Sequence, residues 1–348
     1  MSRRTGSKSI RKKEGLSVAS IKDVAKKAGV AISTVSKVLN NYPNISETTR
    51  QKVNAAIEEL GFVPNAVAAA LSSKQAGRIA LLIHLNTNTQ AIDEISMQYL
   101  AGALKSARER NLDVVTVFFS MLEGMGVEEV IGYFRSQSIN GIIIYGISRE
   151  DLVLQELLRR QVFQVVLVDA PLINESTSCV WIDQAAAQYA VAEKTMQMDT
   201  IPYKKVLYIA GKSNGYVTGE RIRGMEQFAR DYGLEMIVRN GEFSEKRARE
   251  LAMEYAEEQD MVVCASDLMA IGAMRALTDM DIFRPVCGFD GLTLMGYVGQ
   301  QMNTVRQDFA RISQEAVAEL ETLMNGGKGR EVVLDYTLVR LKYEDVIR

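Results

Sequence analysis

Apolar positions follow two different rhythms along this chain. Over the first sixty residues they recur at spacings of three and four, the period that lays one stripe of a helix against a core. Ser20 followed by Asp23 has the spacing of a capping box, so a short helix starts there, and Gly29 supplies a turn. The run from Ala31 to Asn40 follows, with Val35, Val38 and Leu39 on one buried stripe and a small, polar opposite face. Ser46 to Arg50 opens a third helix through Leu60, with Val53, Ile57 and Leu60 inward and Gly61 as its stop. Three short helices around one tight turn form a helix-turn-helix, whose second helix enters the major groove with short polar side chains near the base edges. The plainer alternative is a small helical bundle with no nucleic-acid role.

From Ile79 the rhythm changes to short apolar runs over 79–83, 114–118, 141–145, 165–168, 206–209, 261–264, 286–289 and 331–340. Amphipathic segments such as 97–110, 151–161 and 245–258 alternate with them. Strand-helix alternation predicts parallel sheets covered on both faces, and one sheet of this width would be unusual, so two are expected. Length agrees, since 348 residues at about 150 per domain predict two or three units. No apolar run approaches the roughly 20 residues of a membrane span. The basic stretch Arg3 to Lys13 has no apolar core after it, as a secretory signal needs, which reads as a cytoplasmic chain.

Charge sharpens the division. The first 78 residues hold 14 basic and 5 acidic side chains, net +9, against 27 and 38 in the rest, net −11, although the whole chain is only −2. A basic head on an acidic body confines contact with a polyanion to the head. Pro64 to Lys74 is alanine-rich, yet shorter than the roughly 12 to 15 residues at which isolated helices become marginal, so it folds only when supported. No acidic residue occurs between Glu59 and Asp93, which removes repulsion from phosphates. Three scattered cysteines, Cys179, Cys264 and Cys287, and a lone histidine, His84, make no metal motif and read as reduced, buried thiols and no metal or cofactor.

The stretch from Ile21 to Leu71, IKDVAKKAGVAISTVSKVLNNYPNISETTRQKVNAAIEELGFVPNAVAAAL, resembles the head of the lactose-repressor (LacI/GalR) family of bacterial transcription regulators, and the resemblance extends over nearly the whole chain. It implies base reading in the major groove by Ile32, Ser33 and Lys37, with Thr34 and Asn40 helping to hold the phosphate backbone. It also implies a hinge helix over 64–76 that pairs with its twin in the minor groove, Leu71 as the wedge and Ala68 beside it. Two departures stand out. The family usually has Ser where Ala31 stands, which removes a helix cap of about 1 kcal/mol. It usually has Arg where Lys37 stands, and an ammonium lacks the planar fork that grips guanine.

For the body the resemblance implies a periplasmic-binding-protein-like α/β fold of two doubly wound subdomains, with a ligand cleft at the carboxyl ends of the strands. Arg221, before a helix glycine, and Asp290, in Gly288-Phe289-Asp290, match the family's ligand-gripping residues. Trp181 and Phe243 fall where an aromatic wall is common, and Asp169 ends a strand at the cleft. Each has a structural alternative: core for Trp181, loop packing for Phe243, an ion pair for Arg221, a helix cap for Asp290. Ser266 replaces the usual ligand-binding Asn, and a longer loop from His84 to Glu94 replaces the Asn-Pro-Phe-Phe run, so familiar first-subdomain aromatic contacts are missing.

Two enzyme-like patterns fail. Gly211-Lys212-Ser213-Asn214-Gly215 follows a strand as a hydrolase elbow does, but the only histidine lies upstream of it. A phosphate loop would need glycine where Val206 stands. The expected organisation is a basic tail over 1–19, a DNA-binding head over 20–63, the hinge over 64–76, and an effector-binding and dimerisation body over 77–348. The body divides into 77–180 plus 306–340, and 181–305. This reads as a non-enzymatic regulator, a repressor binding operator DNA as a homodimer under control of a sugar-like effector. The competing class is a solute-binding protein without a transcriptional role.

Overall fold

The computed structural model describes residues 19–39, 44–62, 77–84, 94–198, 202–297 and 301–340. The basic tail, Asn40, Ala68, Leu71 and the hinge segment lie outside the described residues. The chain forms two compact units, Met1–Ala76 and Gly77–Arg348.

The first unit contains α1 (Ile21–Ala28), α2 (Ile32–Leu39) and α3 (Glu47–Leu60). Asp23 reaches back to accept from the Ser20 backbone N–H at 2.9 Å and from its hydroxyl at 2.7 Å. Gly29 and Gly61 end α1 and α3 at φ +67° and +57°, a region open to glycine at little cost. Ser46 caps α3 by accepting from the Thr49 N–H at 3.3 Å. At the start of α2, the carbonyl of Ala31 accepts from Thr34 and Val35, and its methyl offers the helix no side-chain acceptor. Val24, Ala25, Val35, Val38, Val53 and Ala56 form a small buried core, with Leu39, Ile57 and Leu60 half-buried at its margin.

The second unit is built on two six-stranded sheets. The first comprises β1 (Arg78–Ile83), β2 (Asp113–Phe118), β3 (Gly141–Tyr145), β4 (Gln164–Val168), β5 (Thr177–Ile182) and β11 (Glu331–Leu334), in the order β11-β5-β4-β3-β1-β2, all parallel. The second comprises β6 (Lys205–Ala210), β7 (Glu235–Asn240), β8 (Met261–Cys264), β9 (Val286–Cys287), β10 (Asn303–Arg306) and β12 (Thr337–Arg340), ordered β12-β10-β9-β8-β6-β7. Only β12 in that sheet runs antiparallel to its neighbour. Their central strands are apolar on both faces, as parallel strands covered by helices must be.

Helices α4 (Glu94–Glu109) and α11 (Phe309–Met324) pair over the first sheet, with α5 (Val127–Ser136) and α6 (Leu152–Arg160) also packed together. The second sheet is associated with α7 (Gln184–Met196) against α8 (Tyr216–Tyr232), and α9 (Glu245–Tyr255) against α10 (Asp267–Asp279). The second glycine of α8 has a steric reason, since a Cβ at Gly224 would lie 2.1 Å from the Ala185 carbonyl oxygen.

The run over 331–340, expected as one strand of the first subdomain, is two strands joined at Asp335 and Tyr336, one in each sheet. Residues 337–340 therefore belong with the second sheet, and the chain crosses between sheets after β5, after β10 and after β11. The three cysteines are buried and free. Among the described residues no helix is long and apolar enough to cross a membrane.

Candidate functional sites

In the head, helix α2 turns Val35 and Val38 into the core and leaves the other side of its first turns outward. Ile32, Ser33 and Lys37 are exposed and Thr34 is half-buried. Ile32 is 45% exposed. Lys27 of α1 is ion-paired with Glu59 of α3, while Lys37 remains on the outward edge of α2.

In the body, the carboxyl ends of strands from both sheets meet helices in one continuous polar network. Asp169 follows β4 at φ +64°, and Asp290 follows β9 at φ +121°. Phe243 also has a positive φ of 56°. Non-glycine residues rarely hold such conformations unless the surroundings enforce them, and they gather at functional sites. The Tyr99 hydroxyl of α4 donates to Asp169 Oδ2 at 3.2 Å, and Gln184 Nε2 of α7 donates to Asp169 Oδ1 at 3.0 Å. Arg221 Nε of α8 donates to Gln184 Oε1 at 2.9 Å. The same guanidinium holds the Ala265 carbonyl, lies 3.6 Å over the Phe289 ring, and stands 3.8 Å from Asp290 Oδ1. Gln307 Nε2, beyond β10, donates to Asp290 Oδ1 at 3.1 Å, and its Oε1 is buried without a partner.

The electrostatics follow from burying several acids around one cation. Burial pushes the Asp290 carboxyl up to about 7, against the pull of Arg221, with Asp169 adding to the rise. Burial likewise raises Asp169, again opposed by Arg221. Asp267 rises well above the ordinary carboxylate range through burial and then through Asp290. It accepts from the Thr304 hydroxyl at 2.6 Å and the Leu292 N–H at 2.7 Å, and so ties the loop after β9 to α10.

Two sets of contacts join the sheets on either side of this network. The Glu94 carboxylate accepts from the Thr293 N–H at 3.0 Å and its hydroxyl at 2.7 Å. Elsewhere the Arg149 N–H donates to the Asn214 carbonyl at 2.9 Å, and Asn214 Nδ2 to Glu150 Oε2 at 2.9 Å. Both contacts depend on how the two sheets are held together.

Of the residues expected at the cleft, the structure thus joins Asp169, Arg221 and Asp290. Ser266 follows the Ala265 that Arg221 holds, but its hydroxyl caps α10 by accepting from the Met269 N–H at 3.3 Å. Phe243 lies on Gly211, where a Cβ would meet its ring at 2.0 Å. That packing accounts for the first glycine of the elbow-like motif. Trp181 pairs in register with Val333 and keeps a buried indole N–H without a partner. His84 stacks flat on Phe119 at 3.7 Å, and Tyr99 lies against Tyr145 and Phe309. The first subdomain, expected to lack aromatic cleft contacts, therefore has aromatic residues at this end by another route. Sequence reasoning missed Tyr99, Gln184, Asp267 and Gln307. Among the described residues no three metal-binding side chains converge. The network can exchange its internal bonds for those of a ligand with several hydroxyl or amine groups.

Comparisons with known proteins match both parts. The family described as "Bacterial regulatory proteins, lacI family" matches residues 20–65. "Periplasmic binding proteins and sugar binding domain of LacI family" matches residues 73–307. The lactose operon repressor of Escherichia coli (strain K12) is 28% identical over 92% of this chain and 89% of its own length. A solved lac repressor dimer, bound to operator and the anti-inducer ONPF, shares the fold with a TM-score of 0.78 at 24% identity, covering 93% of this chain and 98% of that one. A complex of the transcriptional regulator CelR with cellobiose gives 0.68 at 25% identity, over 92% and 99%.

Proposed function

The chain belongs to the lacI family of bacterial regulatory proteins, and from that premise we propose that it is a repressor whose grip on operator DNA is set by a sugar or sugar derivative bound in the body's cleft. The match of the head sets aside the reading as a solute-binding protein without a transcriptional role. In this proposal Ile32, Ser33 and Lys37 meet base edges, and Thr34 and Asn40 brace the backbone. Ala68 and Leu71 of the hinge segment enter the minor groove.

The observation that carries the control step is the bonded series from Tyr99 through Asp169, Gln184, Arg221 and Asp290 to Gln307, which spans both sheets. A ligand that replaces bonds in this series changes the relative free energy of sheet arrangements, and it shifts their balance only by its differential affinity for them.

The homodimer is part of the proposal. The outer side of α10 and the loop after β9 form a groove of about 730 Å³ with Ile271, Met274, Leu294 and Tyr297. The last two are 40% and 57% exposed, and the flanking pairs Arg249–Asp279 and Arg275–Glu245 give it a polar rim. Such an apolar centre with charged edges suits a second copy of the chain.

The experiment is fluorescence anisotropy of full-length protein on a genomic fragment it selects, titrated with sugars, sugar phosphates and nucleobases. At least one compound is expected to change DNA affinity by about 5- to 150-fold. Full affinity under every compound, each shown by calorimetry to bind the protein, would overturn the control step.

A further inference from the structure

Beneath the second sheet, at the end opposite the cleft, lies a cavity of about 490 Å³, within the range of small-molecule sites. Its walls come from the last turn of α7, the start of β9 and the pairing of β10 with β12. Asn303 and Arg340 are directly opposite in that antiparallel pair, so their side chains share one face of the sheet.

Asn303 is 2% exposed, and its amide is pinned. Nδ2 donates to Thr195 Oγ1 at 2.9 Å and to Met198 Sδ at 3.1 Å, which fixes the orientation and leaves Oδ1 buried without a partner. A buried acceptor in that condition is unfavourable, and a donor arriving in the cavity would satisfy it. Arg340 is exposed and rests Nη1 on the same Met198 sulfur at 3.1 Å, a weak acceptor for a guanidinium. Arg284 adds a second cation held by the carbonyls of Phe283 and Glu257, with its charge shared in part with Asp260. Among the described residues no carboxylate lines the cavity. At its edge Phe283 is 79% exposed and Met198 54%.

We propose that this cavity is a second small-molecule site, separate from the cleft, for a planar organic carboxylate that also carries a hydroxyl or amide N–H. The carboxylate pairs with the Arg340 fork, the flat apolar part lies on Phe283, and the hydroxyl or N–H donates to Asn303 Oδ1. Arg340 is the residue that makes the ligand an anion, and Asn303 the one that requires a donor.

The test is calorimetric titration of the full-length protein with 4-hydroxybenzoate, using benzamidine as the planar cation of similar size. One saturable site per chain is expected for the benzoate and none for benzamidine. Arg340→Gln, on an exposed side chain, should leave the melting temperature unchanged and weaken benzoate binding about tenfold or more. Phe283→Ala should weaken it less, and Asp290→Asn, in the cleft, should leave it unchanged. Equal binding of benzamidine, indifference to Arg340→Gln, loss on Asp290→Asn, or no saturable binding up to millimolar benzoate would each overturn the proposal.

Discussion

On α2 the side chains proposed to meet DNA, Ile32, Ser33 and Lys37, stand out in solvent, whereas in the body Asp169, Arg221 and Asp290 are turned inward and bonded into one network. The head supports its outward edge with a core of six small side chains, and the body wraps its polar groups between two six-stranded sheets. The difference teaches where function can be altered without disturbing the fold. An exposed reader contributes to binding alone, while a buried one contributes to binding and stability together.

The sharpest way to break that contrast is Arg221→Ala. It leaves Asp290, the Gln184 side-chain Oε1 and the Ala265 backbone carbonyl without their shared donor. Chemical unfolding of the body should show a loss of about 3–5 kcal/mol, as for other buried charges deprived of a partner. Lys37→Ala comes next and should act in the opposite manner. It should weaken specific DNA binding by about 1–3 kcal/mol and relax base preference at one symmetric position, with no change in melting temperature. Ser46→Ala removes the acceptor for the Thr49 N–H and should lower the stability of the head by about 1 kcal/mol, read by helical circular dichroism.

The gentlest handle is pH. Burial raises the folded Asp290 carboxyl from its ordinary 3.8 to about 7, so between those values the folded chain binds more protons than the unfolded one. Its stabilising contribution is full below about 4 and is lost as pH rises through 7. Urea midpoints measured across that window should fall with pH, and Asp290→Asn should reduce the slope, with the raised Asp169 and Asp267 keeping the remainder.

Legibility followed the same division. The head was readable because capping residues, turn glycines and apolar spacing are all local. The body's alternation predicted two sheets, but β5, β7 and β10 escaped notice because they are short or flanked by polar residues. The run over 331–340 looked continuous because both halves are apolar, and only tertiary pairing sends β11 and β12 to different sheets. At the cleft, Arg221 and Asp290 carried recognisable neighbours. Gln184 and Gln307 carried none, since a glutamine gains meaning only when the crossings after β5 and β10 place it beside Arg221 or Asp290. Phe243 sat in a suggestive position, yet its ring fills the space above Gly211.

The most direct test is selection of genomic fragments by the full-length protein at physiological salt, followed by measured affinities for the enriched fragment and for random competitor. The expected result is a two-fold symmetric site bound about 10³-fold or more tightly than competitor, with the preference altered by Lys37→Ala. Equal affinity for enriched and random fragments, with the protein folded and tested both with and without sugars, would contradict it.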